Sequence, residues 1–81
     1  MSHYRIVHAP PADDARKKMP TGLKSRFDAA MRPLAADPYG NGSEPVDGER
    51  DRRQAVAAGA LVRYYVAGAV LTVTVVRIVY V

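Results

Sequence analysis

The sequence predicts an α+β domain: an N-terminal strand, two helices, then a three-stranded antiparallel meander, with the helices packed on one face of the sheet. Three observations carry this expectation. The closing stretch, "VRYYVAGAVLTVTVVRIVYV", is rich in Val and Thr, β-branched residues that fit a pleated surface better than a helix. Leu23, Phe27, Ala30, Met31 and Leu34 recur at helical spacing. Pro and Gly clusters separate these segments, so the order of elements is readable.

At the N-terminus, "HYRIVH" alternates Tyr4, Ile6 and His8 against His3, Arg5 and Val7, which predicts the first strand. Pro10-Pro11 ends it. "ADDARKK" then places acids early and bases late, the order that complements a helix dipole, and Met19-Pro20 breaks this first helix. Thr21 is the expected cap of the second helix, with Lys24, Ser25, Asp28 and Arg32 outward. Pro33 removes the hydrogen bond to the Ala29 carbonyl, which predicts a kink or a fresh turn at Arg32. Asp37-Pro38 stops the element, and "YGNGSEPVDGERD" reads as a long mobile loop.

After it, "RRQAVAAG" reads as a strand that turns at Gly59-Ala60. A second turn at Ala67-Gly68 would pair Tyr65 with Val70, Tyr64 with Leu71, Arg63 with Thr72, Val62 with Val73 and Leu61 with Thr74. One face then collects Val62, Tyr64, Leu71, Val73 and Val75, and the other shows Arg63, Tyr65, Thr72 and Thr74. Arg77 follows the Leu71/Val73/Val75 parity and would lie beyond the edge of the core.

Composition narrows the function classes. At 81 residues the chain is expected to be a single domain, residues 1–81, that buries about 60–65% of its unfolded surface, enough for one helical layer on one sheet. The absence of cysteine excludes a disulfide framework, a thiolate zinc site and a cysteine nucleophile. With no apolar run following a basic start in "MSHYRIVHAPP", a cytoplasmic location is expected. A spanning helix needs roughly 20 apolar residues, whereas Arg63 and Arg77 bracket only Tyr64 to Val76, an interval holding Gly68, Thr72 and Thr74. No membrane partner is expected. Twelve Lys+Arg against eight Asp+Glu give a formal charge of +4, which favours an anionic partner.

The candidate site residues are side chains of the polar sheet face and the strand ends, and their catalytic and RNA-binding roles are those the family resemblance described below implies. Arg63 leads as a phosphate-binding or catalytic side chain, Arg77 is second, and Tyr65 and Tyr80 are candidate proton carriers or base-stacking platforms. Arg52 and Arg53 are a candidate grip on RNA phosphates, against the plainer reading of a solvated strand entry. His3 and His8 do not share a strand face, so no metal site is expected. The sequence holds no phosphate-binding glycine loop, Ser/His/Asp set or carboxylate pair, and no cofactor is expected.

Taken in order, "PLAADP" (Pro33 to Pro38), "VDGERDRRQAVAAG" (Val46 to Gly59), "LVRYYV" (Leu61 to Val66) and "LTVTVVRIVY" (Leu71 to Tyr80) resemble the RelE/ParE superfamily of bacterial type II toxin–antitoxin toxins. The resemblance spans almost the whole chain. It implies a toxin that cleaves mRNA on the ribosome without a metal, held inactive by a cognate antitoxin, as a homodimer or a toxin–antitoxin hetero-oligomer. Catalysis would fall to Arg63 and Arg77 with Tyr65 or Tyr80. Two departures stand out: Val62 occupies the usual arginine position, with Arg63 next door, and Tyr80 stands at the histidine or at the terminal tyrosine of the pattern. They keep two alternatives open, a ParE-like inhibitor of DNA gyrase that acts by binding alone, and a catalytically degenerate RelE-fold binding module.

Overall fold

The computed structural model describes residues 3–80, and side chains through residue 79. In chain order the elements are β1 (Arg5–His8), α1 (Pro10–Lys17), α2 (Thr21–Ala36), β2 (Glu44–Val46), β3 (Glu49–Ala57), β4 (Ala60–Ala67) and β5 (Thr72–Tyr80). The strands form one mixed sheet in the order β1-β5-β4-β3-β2. Only β1 runs parallel to its neighbour, because α1 and α2 carry the chain back across the sheet before β5 is laid beside it. The predicted meander is present as β3-β4-β5, and two flanking strands bring the count to five.

Each deviation from the expected helices has a local cause. Pro10 starts α1 where a missing N–H costs nothing, and the acid-to-base order gives a Lys17–Asp13 pair at 3.0 Å. Thr21 is the first residue of α2 and not its cap; Pro20 holds the cap position. Helix α2 continues through Pro33 to Ala36 without the expected restart. The Pro33 carbonyl accepts from the Asp37 N–H and from Asn41 Nδ2 at 2.7 Å, so the last turn is closed from outside the helix. Asp28, expected outward, takes a bidentate contact from Arg16 (2.9 and 2.6 Å) that ties α1 to α2.

The core lies between the helices and one face of the sheet. Phe27, Met31 and Leu34 descend from α2, Ala12 and Met19 from the α1 side, and they meet Ala55, Ala57, Val62, Tyr64, Val66, Val73, Val75 and Ile78. The segment expected to be a mobile loop is neither wholly loop nor loose. Residues 44–46 pair with β3 as β2, and Asp47-Gly48 closes the hairpin with φ of 54° and 74°, as a two-residue turn of this hand requires. Tyr64 donates its buried hydroxyl to the Pro38 carbonyl at 2.6 Å, and Tyr39 donates to Asp51 Oδ1 at 2.7 Å. The loop is pinned to the sheet.

Both meander turns differ from expectation. The β3–β4 turn is Ala58-Gly59, at φ 51° and 81°, one residue earlier than Gly59-Ala60. At the β4–β5 connection, Gly68–Val70 forms a single 3-10 turn and Leu71 takes φ 46°, so the pairing slides four residues from the tight-turn register. Tyr65 faces Thr74, and Val66 faces Val73. Up to Tyr64 this even slide preserves faces, which is why Tyr64, Val73 and Val75 still reach the core; beyond it Val62 pairs with Ile78, five residues from its tight-turn partner, and both are buried. Leu71 does not: it is 42% exposed in the connection.

His8 supplies a test of the β1–helix junction. Its imidazole packs toward α1 and α2, with Nε2 buried and without a hydrogen-bond partner among the described residues. Burial first, and the Arg16 cation second, lower its pKa below the ordinary histidine value, while Asp13 and Asp28 oppose the shift. The folded state then binds fewer protons than the unfolded chain, so stability is full above about pH 6.5 and falls as pH drops through the lowered folded value. Urea unfolding between pH 7.5 and 5 is expected to show this decline in the native protein and a flatter profile in His8→Gln.

Candidate functional site

Beyond Tyr64 the alternation in β5 breaks. Tyr64 pairs with Val75, yet its neighbour Arg63 pairs with Arg77, leaving Val76 as an extra residue in a β-bulge. Strict alternation would drive Arg77 into the core and turn Ile78 outward. Burying an unpaired guanidinium costs several kcal/mol, whereas one surplus residue lets Val75 and Ile78 both bury and puts Val76 and Arg77 on the open side. The expectation that Arg77 shares the parity of Val73 and Val75 is therefore corrected: it faces Arg63.

The helix-free face of the sheet is thereby organised in cross-strand rows. Val56, Leu61 and Val79 form an exposed apolar row. Gln54, Arg63 and Arg77 form the next, and Arg52, Tyr65 and Thr74 the third. Two depressions flank the arginine pair. One, of about 240 Å³, is lined by Leu61, Arg63, Arg77 and Val79. The other, of about 230 Å³, is lined by Val46, Asp47, Arg52, Arg53, Arg63, Tyr64, Tyr65 and Val76. Arg63 is common to both.

The electrostatics of the rows are unequal. Arg52 is held by Glu49 at 2.9 Å, so part of its charge is already answered. Arg63 and Arg77 have no hydrogen-bond or ion-pair partner among the described residues. Like charges directly opposite on a sheet are destabilising. Tyr65 is 49% exposed beside Arg52, and its ring is available for stacking. The backbone of Tyr80 ends β5 opposite Ala60, while its side chain, a candidate from the sequence, lies outside the described residues.

Arg53 borders the second depression, but its guanidinium is committed elsewhere. It sits on the core face, 8% exposed, and donates to Ser43 Oγ (3.0 Å), the Arg50 carbonyl (3.0 Å), the Tyr39 carbonyl (3.2 Å) and the Ser43 carbonyl (3.3 Å). Its guanidinium also lies 5.5 Å from the Tyr39 ring centroid, while Arg50 stacks on that ring at 4.4 Å. The paired reading of Arg52 and Arg53 as a phosphate grip fails for Arg53, because adjacent strand residues point to opposite faces. Asp47, not among the sequence candidates, also lines the second depression; its sequence signal is the Asp-Gly turn that places it at the sheet rim. Among the described residues no group of three or more His, Cys, Asp or Glu could hold a metal ion, and no helix is long and apolar enough to cross a membrane.

The neighbouring arginines should separate cleanly in stability. Arg53→Ala is expected to lower unfolding free energy by about 2–4 kcal/mol, since it abandons buried carbonyl acceptors, and Arg52→Ala to change it by less than about 0.5 kcal/mol. Urea denaturation with circular dichroism measures both.

No protein-family model and no curated protein sequence matches the chain. Solved structures do. The RelBE2 toxin–antitoxin complex from Mycobacterium tuberculosis aligns at TM-score 0.80 and 16% identity, covering 99% of this chain and 100% of that one. An archaeal RelE–RelB complex from Pyrococcus horikoshii aligns at 0.78 and 17%, covering 98% and 96%. A doubly arginine-substituted E. coli toxin RelE, in complex with an antitoxin RelBc peptide, aligns at 0.78 and 13%, covering 99% and 85%. At this identity the likeness speaks for architecture alone: the chain has the RelE-like fold.

Proposed function

We propose that this chain is the toxin of a type II toxin–antitoxin system and that its open sheet face cleaves mRNA on the ribosome. The observation that carries the reading is the Arg63–Arg77 pair. Two guanidiniums placed directly opposite one another, without a described carboxylate partner, oppose folding and suit a phosphate. The fold likeness supports it, since each of the three neighbours is a toxin in complex with an antitoxin. A cognate antitoxin is accordingly the proposed protein partner.

The chemistry needs no cofactor. As the ribose 2′-oxygen loses its proton and bonds to phosphorus, the bond to the 5′-oxygen breaks, leaving a 2′,3′-cyclic phosphate and a 5′-hydroxyl. Arg63 and Arg77 would stabilise the charge that builds on the phosphorane oxygens. Proton transfer would fall to Tyr65, two residues along β4 from Arg63, or to Tyr80 at the end of β5. Arg52 would add a peripheral phosphate contact.

One observation favours a second reading. Among the described residues no imidazole or ammonium lines either depression, so the face they form is better furnished for binding an anion than for moving protons at neutral pH. A ParE-like toxin that blocks DNA gyrase by binding would need only the former.

Induced expression in a bacterial host, with growth followed and mRNA 5′ ends mapped by primer extension, decides between them. Translation-dependent cuts that fall about a hundredfold or more in Arg63→Ala and Arg77→Ala are expected. Growth arrest with intact mRNA would replace the nuclease by the binding inhibitor, and normal growth would remove both.

A further inference from the structure

The depression beside Tyr65 has one wall that phosphate binding does not explain. Asp47 lies in the β2–β3 turn and lines the depression; Glu49 and Glu44 at the same rim are bonded to Arg52 and Gln54, whereas the Asp47 carboxylate has no ion-pair partner within 4 Å among the described residues. Arg52, which lines the same depression, is bonded to Glu49 instead. A face that only gripped phosphate would gain by having no unpaired carboxylate there.

The dimensions suggest the occupant. Residues two apart on a strand are separated by roughly 6.6 Å, so the Arg63 row and the Tyr65 row are spaced about as far apart as a phosphate and its own base in an extended single strand. The Tyr65 ring offers a stacking surface, Val76 an apolar wall, and Arg63 borders both this depression and the Leu61/Val79 one. A phosphate over Arg63 and Arg77 therefore sends one base toward Tyr65 and Asp47 and leaves the next over Leu61 and Val79.

We infer that the Tyr65 depression is a nucleobase pocket in which Asp47 accepts a hydrogen bond from an exocyclic amino group and so excludes uracil. The inference rests on the RNA-binding reading of the same face. Cytosine and uracil are nearly the same shape, yet cytosine presents an N4 amino donor where uracil presents the O4 acceptor. A carboxylate, which only accepts, pairs with the first and repels the second. Asparagine at the same place can donate as well as accept, and it also tolerates the φ of 54° that residue 47 requires.

Binding of the short homopolymers hexacytidylate and hexauridylate to the purified protein, followed by backbone amide shifts, tests the assignment without a ribosome. Hexacytidylate is expected to bind about fivefold more tightly, shifting the amides of Asp47, Tyr65 and Val76. Asp47→Asn should bring the two affinities within about twofold by improving the uridine polymer, and Arg63→Ala should weaken both alike. Equal affinities in the native protein, or a preference that survives in Asp47→Asn, would overturn the pocket. Selectivity in a protein that leaves cellular mRNA intact would contradict only the nuclease reading, and cleavage without selectivity would contradict only the pocket.

Discussion

A single surplus residue in β5 decides what the open face of this sheet can do. Without the bulge at Val76, the pleat would send Arg77 into a core of Val62, Tyr64, Val75 and Phe27 and bring Ile78 out to water. With it, the hydrophobic requirement of Ile78 and the hydration requirement of Arg77 are met together. The arrangement of two opposed arginines is thus a consequence of core packing on the other side of the same strand.

That coupling runs through the whole molecule. The core face of β3 and β4 uses a guanidinium and a phenol as fasteners: Arg53 and Tyr64 hold the 38–43 loop, which in turn positions β2 and the Asp47 turn. Burial raises the pKa of the Tyr64 phenol, so it remains a neutral donor to Pro38. One residue away on each strand, Arg52 and Tyr65 stand in solvent. The same residue types are structural on one face and free to bind on the other, and strand parity alone separates the roles.

Much of this was legible in the sequence, and what was not has specific causes. The β-branched C-terminal run, the helical spacing of Phe27, Met31 and Leu34, and the Gly-marked turns led to the right layers and order. The strand at Glu44–Val46 was hidden because Pro45 and two nearby glycines read as loop, although an edge strand tolerates proline. The β4–β5 register was missed because a glycine invites a two-residue turn, and the left-handed Leu71 that lengthens the connection leaves no sequence signature. Arg63, Tyr65 and Arg77 were nameable as candidates, but their mutual placement depended on the bulge. Its trace was present as the phase break in "VTVVRIV", where two adjacent valines precede Arg-Ile. Arg53 was misassigned beside Arg52 because an arginine's burial depends on carbonyls contributed by a loop ten or more residues away.

The central claim is that the Arg63–Arg77 pair is kept for an anion at some expense to folding. The most direct measurement takes one variant, Arg77→Thr, and reads its unfolding free energy and its affinity for a short single-stranded RNA in the same buffer. The account predicts a gain in stability of about 0.2–1 kcal/mol from relief of cross-strand repulsion, together with a shallower salt dependence and weaker RNA binding. A loss of stability with unchanged RNA affinity would contradict it, and would make the pair a structural feature of the sheet.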